Sequence, residues 1–263
     1  MSALLQREHR NGILRLTLDD AQTRNSLSEA MMASLAIALD EAKSDPQARV
    51  IVIAAEGPAF CSGHNLKEIT QHRRDEDRGQ AYFTKLMTHC AALMQSIVHH
   101  PKPVIAEVQA AASAAGCQLV ASCDLALASE QARFATPGVN IGLFCSTPMV
   151  ALSRNVSRKH AMEMLLTGDM ISAAQAERIG LVNRVVATQL LRSSVDELAQ
   201  KIAGKSKAVT RIGKEAFYRQ VEMPLADAYD YASRVMVENL LIQDAKEGIG
   251  AFVDKRPPKW EDR

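Results

Sequence analysis

The sequence lacks a long apolar run, a large net charge of either sign and a secretion signal. No apolar run approaches the roughly 20 residues that a membrane-spanning helix needs, and the first segment, MSALLQREHR, is too charged for a signal peptide. The formal charge is +1, from 31 basic and 30 acidic residues. This balance provides no general field for a nucleic acid or a membrane surface. We therefore expect a cytoplasmic protein with neither of these partners.

The cysteines form no pattern of a disulfide framework or of a zinc site. There are five, an odd number, and no short spacing between them is repeated. We expect buried, reduced thiols, as is usual for unpaired cysteine. The chain also has neither a metal-binding motif nor a dinucleotide fingerprint. We therefore expect no metal ion and no permanently bound cofactor.

The first part of the chain contains a strand followed by an amphipathic helix. Residues 12–19 alternate as a strand does. The following helix is expected to begin at Ser26 or Ser28 and to end near Lys43, with leucines at i, i+4 spacing. Ser26 and Glu29 have the spacing of a capping box.

Further apolar runs alternate with polar turns. Residues 49–55 are apolar almost throughout, which predicts a strand covered on both faces. The polar segment 71–80 is expected to form a surface loop before a helix over residues 82–98. The pattern predicts an α/β core of parallel strands joined by right-handed crossovers.

The segment from Pro103 to Asp124 organises this half of the chain. An apolar strand passes through the small residues 110–116 into a buried helix. Side chains this small allow a ligand to approach backbone N–H groups at the start of a helix, where a developing oxyanion is stabilised. Residues 50–68 repeat the order of strand, small-residue turn and helix.

Helices alone are predicted after Thr147. They are expected near residues 148–155, 159–167, 173–178, 188–204, 207–220 and 224–248, followed by a charged arm over 252–263. We divide the chain into an α/β core, residues 1–200, and a helical C-terminal region with its arm, residues 201–263.

Four blocks of the chain share the order and spacing of one protein family. They are RVIVIAAEGPAFCSGHNLKEI (49–69), KPVIAEVQAAASAAGCQLVASCDLALAS (102–129), AMEMLLTGDMISAAQAERIGLVNRVV (161–186) and GIGAFVDKRPPKW (248–260). Together they resemble the crotonase superfamily, the enoyl-CoA hydratase/isomerase family. The resemblance implies a crotonase-type spiral of ββα units with a helical trimerisation region, and hence a homotrimer or a dimer of trimers.

The resemblance also implies an oxyanion hole. Members of the family hold the thioester oxygen of an acyl-CoA with two backbone N–H groups, which fall on His64 and Ala115 here. Fixed dipoles at a helix N-terminus stabilise an enolate-like oxygen without reorganisation. The alternative is that the small residues only allow close packing of helix on strand. Alanine at positions 114 and 115 is expected to fit if the turn is α-like.

Both glutamates that hydratases of this family use are absent from the sequence. Their positions fall on Gln118 and on Gly138, in the segment Thr136-Pro137-Gly138. Glutamine has no proton to exchange at neutral pH, and glycine has no side chain. The chain therefore resembles an atypical member, whose standard hydratase activity is expected to be weak or absent.

Other groups near the site are candidates for proton transfer. They are the side chains of His64, Glu107, Asp124, Asn140, Cys145 and Ser146. We expect Glu107 to be paired in a buried strand, because an unpaired buried carboxylate is costly. A structural role is expected for Asp124. The imidazole of His64 either faces the thioester or makes an ordinary hydrogen bond.

The resemblance implies contacts with coenzyme A, which would enter as part of the substrate. The contacts fall on Arg24, Ser26, Leu27, Ser62, His64, Asn65 and Leu66, with Phe252 and Lys255 reaching from a neighbouring subunit. A cation suits the 3′-phosphate, although the alternative for Lys255 is a solvated tail. The resemblance also implies that helix 82–98 and the loop before it shape the acyl pocket, where Phe83, Leu86 and Met87 allow an apolar tail of open length.

Two functions remain open from the sequence. The first is an acyl-CoA enzyme of fatty-acid or related metabolism that uses the oxyanion hole without the glutamate pair. The second is a non-catalytic protein that binds acyl-CoA. RNA binding, as in one branch of the family, is disfavoured because the chain has no net basic field.

Overall fold

The chain alternates between two β-sheets. The structure, a computed structural model, describes residues 4–263. Its strands are β1 (Leu5–Arg10), β2 (Ile13–Leu18), β3 (Val50–Ala55), β4 (Ala59–Cys61), β5 (Val104–Val108), β6 (Ala111–Ser113), β7 (Leu125–Ser129), β8 (Arg133–Ala135), β9 (Ile171–Ser172) and β10 (Arg184–Val186). One sheet has the order β1-β2-β3-β5-β7-β10, and the other has the order β4-β6-β8-β9.

Helices connect the strands and form the C-terminal part. They are α1 (Glu29–Ser44), α2 (Leu66–His72), α3 (Gln80–Val98), α4 (Ala115–Ser122), α5 (Pro148–Asn155), α6 (Arg158–Thr167), α7 (Ala173–Arg178), α8 (Leu191–Ala203), α9 (Lys207–Gln220), α10 (Leu225–Leu241) and α11 (Gln243–Val253). Short 3₁₀ helices span Pro137–Ile141 and Thr188–Leu190. Among the described residues, no helix is both long and apolar enough to cross a membrane.

The chain follows a spiral path through its strands and helices. β3, β5 and β7 lie in the larger sheet, and each is followed by a short strand of the smaller sheet and then by helical structure. Neighbouring strands from β2 to β10 in the larger sheet are parallel, as are β4, β6 and β8 in the smaller one. The predicted α/β core and its ββα spiral are confirmed.

The strand predicted to be covered on both faces is covered on both faces. Ile51 and Ile53 of β3 belong to the main core, which also contains the apolar side of α1. Val50 and Val52 point to the opposite face and pack with Val195 and the rest of the buried side of α8. Burial of both faces explains why nearly every residue of the segment is apolar.

Helix α1 is capped by Ser28, the second of the two serines predicted to open it. The N-cap is Ser28, whose hydroxyl accepts a hydrogen bond from the Met31 amide at 3.2 Å. Ser26 lies instead in an extended loop, because the Leu27 amide donates to the Gly63 carbonyl at 2.8 Å. The tertiary contact therefore decides between the two serines.

The polar loop between α2 and α3 is shorter than predicted. α2 continues to His72 and α3 starts at Gln80, so the loop spans only residues 73–79. The Asp77 carboxylate accepts hydrogen bonds from the amides of Gly79 and Ala81, both at 2.8 Å. Asp77 thus stabilises the start of α3 two residues before the predicted one.

The long C-terminal helix is broken. Ile242 has an extended backbone, which separates α10 from α11. The break buries Asp244, whose carboxylate accepts hydrogen bonds from the amides of Glu261 and Asp262 at 2.7 and 3.0 Å. The Trp260 indole also donates to the Gly204 carbonyl at 3.0 Å. The terminal arm is consequently tied to the body of the protein.

Candidate functional site

The small-residue turns after β4 and β6 lie in direct contact. Gly63 has a φ of +91°, and a Cβ on it would lie 3.0 Å from the Cβ of Ala114 and 3.4 Å from the amide nitrogen of Ala115. The two strands are parallel neighbours, so their carboxyl ends meet at the same edge of the sheet. The sequence repeat of strand, turn and helix therefore brings its two turns together.

Gly116 fixes the start of α4 against the end of β4. A Cβ at this position would lie 2.2 Å from the Cys61 carbonyl oxygen and 2.8 Å from the Cys61 Cβ. These distances are far below any ordinary contact, so no other residue fits without a movement of the backbone. Close packing of helix on strand is thus present, and it is what holds the two turns in register.

The amide groups of His64 and Ala115 are available for a ligand. Ala114 donates its amide to the Ala135 carbonyl at 2.9 Å, and the Gln118 amide donates to the Ala114 carbonyl at 3.0 Å. Neither the His64 nor the Ala115 amide donates to a backbone carbonyl anywhere in residues 4–263. Ala115 is also the first residue of α4, where the helix dipole favours negative charge.

Alanine was expected to fit an α-like turn, and the turn before α4 is not α-like at Ala114. Ala114 has φ +50° and ψ −117°. This is the conformation of the first central residue of a type II′ turn, which glycine favours. The chain must reverse sharply between β6, paired with β8, and the first turn of α4. A side chain in such a region costs on the order of 1–3 kcal/mol.

A third loop, residues 23–27, completes the site. The Ser62 amide donates to the Arg24 carbonyl at 3.1 Å, and Leu27 pairs with His64 in a parallel bridge. The predicted coenzyme A contacts in residues 24–27 and 62–66 are therefore neighbours. Within this group Ser26 and Leu27 are buried, whereas the Arg24 and Leu66 side chains are exposed.

Asn25 lies within the predicted coenzyme A segment, but its structural role was not predicted. It is fully buried, and its side-chain amide donates to the carbonyl groups of Glu56 and Ala59 at 2.7 and 2.8 Å. Its φ is +54°, a conformation that asparagine tolerates better than most residues. An asparagine in a polar turn beside a small-residue loop was the only available signal.

The His64 imidazole is partly buried, and only one of its two ring nitrogens has a hydrogen-bond partner within residues 4–263. Its Nδ1 lies 3.3 Å from the Leu27 carbonyl oxygen. A carbonyl oxygen only accepts hydrogen bonds, so Nδ1 carries the proton and Nε2 has a free lone pair. Nε2 is buried and has no hydrogen-bond partner among the described residues. Burial lowers the pKa of His64 below its ordinary value, which favours the neutral ring.

The Gln118 side chain is buried and lies against a thiol. Only 5% of the residue is exposed, and its Oε1 lies 4.0 Å from the Sγ of Cys90 on α3. Burial raises the pKa of the Cys90 thiol to about 11 and that of Cys117 to about 12, so both are neutral at pH 7. No group in this set exchanges a proton readily at neutral pH.

Gly138 has no room for a larger side chain. A Cβ on it would lie 2.9 Å from the Leu143 carbonyl oxygen and 2.9 Å from the Sγ of Cys145. A glutamate at this position therefore requires the loop over residues 143–145 to move. Burial raises the pKa of the Cys145 thiol, which makes it a poor base.

Glu107 and Asp124 are held in structural contacts. Glu107 forms a buried ion pair with Arg15, which also contacts Asp196 at 2.5 Å, so the expected salt bridge is confirmed. The Asp124 carboxylate accepts hydrogen bonds from the Lys214 ammonium at 2.7 Å and the Tyr218 hydroxyl at 2.9 Å. These contacts leave neither carboxylate available for catalysis.

The remaining predicted residues lie away from this cluster or are differently exposed. Asn140 is exposed in the 3₁₀ helix Pro137–Ile141, and Ser146 is exposed on the loop that follows it. Phe252 is 85% exposed at the end of α11, which packs on α9 and α10, and Lys255 follows it. Leu86 of α3 is buried in the core. Residues 4–263 contain no group of three or more metal-binding side chains.

Comparisons with known proteins agree on one family. The sequence model described as enoyl-CoA hydratase/isomerase matches residues 8–263. "Enoyl-CoA hydratase domain-containing protein 3, mitochondrial" of Xenopus laevis is 51% identical over 98% of this chain and 85% of its own length. The crystal structure of an enoyl-CoA hydratase from Mycobacterium smegmatis is 47% identical, with a TM-score of 0.93 over 98% of both chains. The human domain-containing protein 3 structure is 46% identical, also with a TM-score of 0.93, over 98% of this chain and all of its own.

These names contradict the expectation of a cytoplasmic protein. The Xenopus laevis relative, and those from rat, mouse and human, are named as mitochondrial proteins. The expectation rested on the absence of an apolar leader at the start of the sequence. An absence of that kind does not identify a compartment, so the cytoplasmic assignment is wrong.

Proposed function

The chain belongs to the enoyl-CoA hydratase/isomerase family, and from this premise we propose that it binds an acyl-CoA thioester and polarises its carbonyl group. The thioester oxygen accepts hydrogen bonds from the amides of His64 and Ala115. The contact between Gly63 and the turn at Ala114–Ala115 carries the proposal, because it holds both amides at one edge of the sheet. Fixed donors of this kind stabilise an oxyanion without reorganisation.

The two-glutamate hydration mechanism is absent from this proposal. Gln118 and Gly138 stand where the family resemblance puts the glutamates, and neither can transfer a proton. The buried ion pair of Glu107 and the hydrogen bonds of Asp124 remove these carboxylates as substitutes. The protein therefore acts in fatty-acid or related acyl-CoA metabolism without hydrating an enoyl-CoA at the rate of a standard hydratase.

Coenzyme A is held by the loops over residues 24–27 and 62–66. The exposed Arg24 side chain suits a phosphate, since a guanidinium forms strong charge-assisted hydrogen bonds. Phe252 and Lys255 contact the same coenzyme A from a neighbouring subunit. Their exposure within one chain is in keeping with such a role.

A homotrimer or a dimer of trimers is the assembly that we propose. Large apolar side chains are exposed on the C-terminal helices, among them Leu225 at 76% and Leu241 at 81%. Exposed apolar surface of this extent is typical of an association face. Sedimentation equilibrium tests the proposal, and a monomer at micromolar concentration contradicts it.

The alternative function is acyl-CoA binding without catalysis. The contact of the buried Gln118 side chain with the neutral Cys90 thiol favours this alternative, since a binding site needs no proton-transfer group. Both functions predict binding of acyl-CoA, whereas only the first predicts chemistry on it.

Calorimetry and product analysis with crotonyl-CoA test the proposal. We expect saturable binding and no hydration above the uncatalysed rate. Hydration at the rate of an ordinary hydratase contradicts the assignment of Gln118 and Gly138, and a failure to bind contradicts the proposed function itself.

A Gly116→Ala variant should lose binding, because its Cβ overlaps the Cys61 carbonyl. Gly213→Ala is the matched control, since a Cβ at Gly213 meets nothing within 4 Å.

A further inference from the structure

A cavity at the end of α3 lies outside the site described above. It has a volume of about 480 Å³ and lies between residues 98–101 and one face of α9. Among the residues that the structure describes, its lining includes none of the loops 23–27 and 62–66 and no residue of α4. Sites for small molecules have volumes of about 300–1,000 Å³, so this cavity is large enough to be one.

Two arginines of α9 line the cavity without an acidic partner. Arg211 and Arg219 are exposed, and neither guanidinium forms an ion pair within residues 4–263. Glu215 also lines the cavity, four residues from each arginine, yet it pairs with neither. The Arg219 guanidinium lies over the Tyr231 ring, 4.7 Å from its centroid. This contact orders the guanidinium and leaves its positive charge in place.

Lys214, a third basic residue of α9 at the cavity, offsets the negative groups behind it. Its ammonium donates to the carbonyl oxygens of Ile97 and Lys102 at 3.0 and 3.1 Å. It also donates to the Asp124 carboxylate at 2.7 Å. Carbonyl groups at the C-terminal end of a helix carry partial negative charge, as those of α3 do here. Because Lys214 binds these groups, two free arginines face one carboxylate, and the cavity is positive.

Apolar surface lies beside the arginines. Val98, Pro101 and Tyr218 line the same cavity. The Tyr218 hydroxyl donates to Asp124 at 2.9 Å, so a ligand meets the ring and not a free hydroxyl. A ligand that uses both kinds of surface has an anionic group and an organic part.

We propose that this cavity binds a small organic phosphate, of about the size of a mononucleotide, through Arg211 and Arg219. A guanidinium binds a phosphate through two parallel N–H bonds, and a phosphate offers enough oxygens for both arginines. The organic part of the ligand packs on Val98 and Pro101. The inference does not depend on the proposed acyl-CoA function, because the two sites share no residue.

Calorimetry with AMP tests the proposal. Saturating butyryl-CoA is present, so that the proposed acyl-CoA site is blocked. We expect saturable binding of AMP and much weaker binding of adenosine, which lacks the phosphate. Arg211→Gln and Arg219→Gln should each weaken AMP binding at least about 10-fold, as expected for the loss of a charge-assisted hydrogen bond. Arg178→Gln, at an exposed arginine of α7, is the matched control and should bind AMP like the wild type.

The affinity for butyryl-CoA shows that each variant is folded, and it should not change in either arginine variant of α9. Wild-type protein that does not bind AMP overturns the proposal, as does AMP that butyryl-CoA displaces. Equal affinity for adenosine and AMP, or undiminished binding in both variants, also contradicts it. If AMP does not bind and Arg211→Gln changes the sedimentation of the protein, the cavity instead receives an acidic group of a second copy. A protein that binds AMP but not butyryl-CoA overturns the proposed function alone.

Discussion

Replacement of Gly116 by alanine tests whether the packing of α4 on β4 positions the site. The new Cβ would lie 2.2 Å from the Cys61 carbonyl oxygen, and a tolerable contact begins near 3.0 Å, so α4 or β4 must shift by about 0.8 Å. A misplacement near 1 Å costs about 100-fold in a reaction that depends on alignment. Overpacking of this kind also destabilises by about 1–3 kcal/mol.

Gly213→Ala calibrates the gain that alanine brings to a helix. Position 213 lies in α9 with open space around it, so we expect a stabilisation of up to about 1 kcal/mol. Urea unfolding at equal protein concentration measures both variants, and calorimetry with crotonyl-CoA measures their binding. A Gly116→Ala protein that is as stable as Gly213→Ala and binds acyl-CoA like the wild type would refute the reasoning.

Three further predictions concern the surroundings of the site and the core. Ala114→Gly removes a side chain from a positive φ and should stabilise the protein by about 1 kcal/mol in urea unfolding; unchanged or lower stability contradicts the strain. Arg15→Met leaves Glu107 buried without its partner and should destabilise by about 3–5 kcal/mol, whereas a loss below about 1 kcal/mol shows that the pair is dispensable. Burial lowers the pKa of His100 to about 4, below its unfolded value near 6.5, so this residue stabilises the fold above pH 6.5. That contribution, up to about 3 kcal/mol, should fall as pH drops from 6.5 to 4, and His100→Gln should lose this part of the pH dependence; identical pH profiles contradict it.

The pH prediction for His100 has a structural cause. Its Nε2 donates to the Leu39 carbonyl at 3.0 Å, and its Nδ1 accepts from the Lys102 amide at 3.1 Å. Protonation of Nδ1 would break the second bond and place a charge in a buried position. The Lys102 and Lys214 ammonium groups nearby disfavour that charge further.

Most of the strands and helices could be predicted because the residues that determine them are neighbours in the sequence. The apolar run at 49–55 requires cover on both faces, and α1 and α8 supply it. Ser206 precedes the predicted helix over 207–220, and its hydroxyl accepts from the Val209 amide at 3.2 Å. Capping and periodicity are properties of neighbouring residues, so the sequence alone displays them.

Features that depend on distant segments could not be predicted. Nothing near Ile242 in the sequence indicates a break, which forms where Asp244 binds the terminal arm. The choice of Ser28 over Ser26 as N-cap depends on the hydrogen bond between Leu27 and Gly63. Each of these contacts joins residues that periodicity does not relate.

The candidate site could be predicted only in part, because its geometry also depends on contacts between distant segments. The resemblance indicated the positions of His64 and Ala115, and the structure brings their turns together. It gave no sign that a side chain at Gly138 would meet the Leu143 carbonyl. A Gln118→Glu, Gly138→Glu double variant is therefore expected to be destabilised, not to gain hydration.

The most direct test of the account removes the Ala115 amide donor alone. Replacing Ala115 with lactic acid substitutes an ester oxygen for the N–H and retains the side chain. A conjugated dienoyl-CoA absorbs at longer wavelength when its thioester is polarised, and the wild-type protein should produce this shift. The ester variant should lose most of the shift and bind about fivefold more weakly, the worth of roughly 1 kcal/mol for one hydrogen bond. The same replacement at Ala173, the first residue of α7, should leave the shift intact. An undiminished shift in the Ala115 variant would contradict the central claim that this amide polarises the substrate.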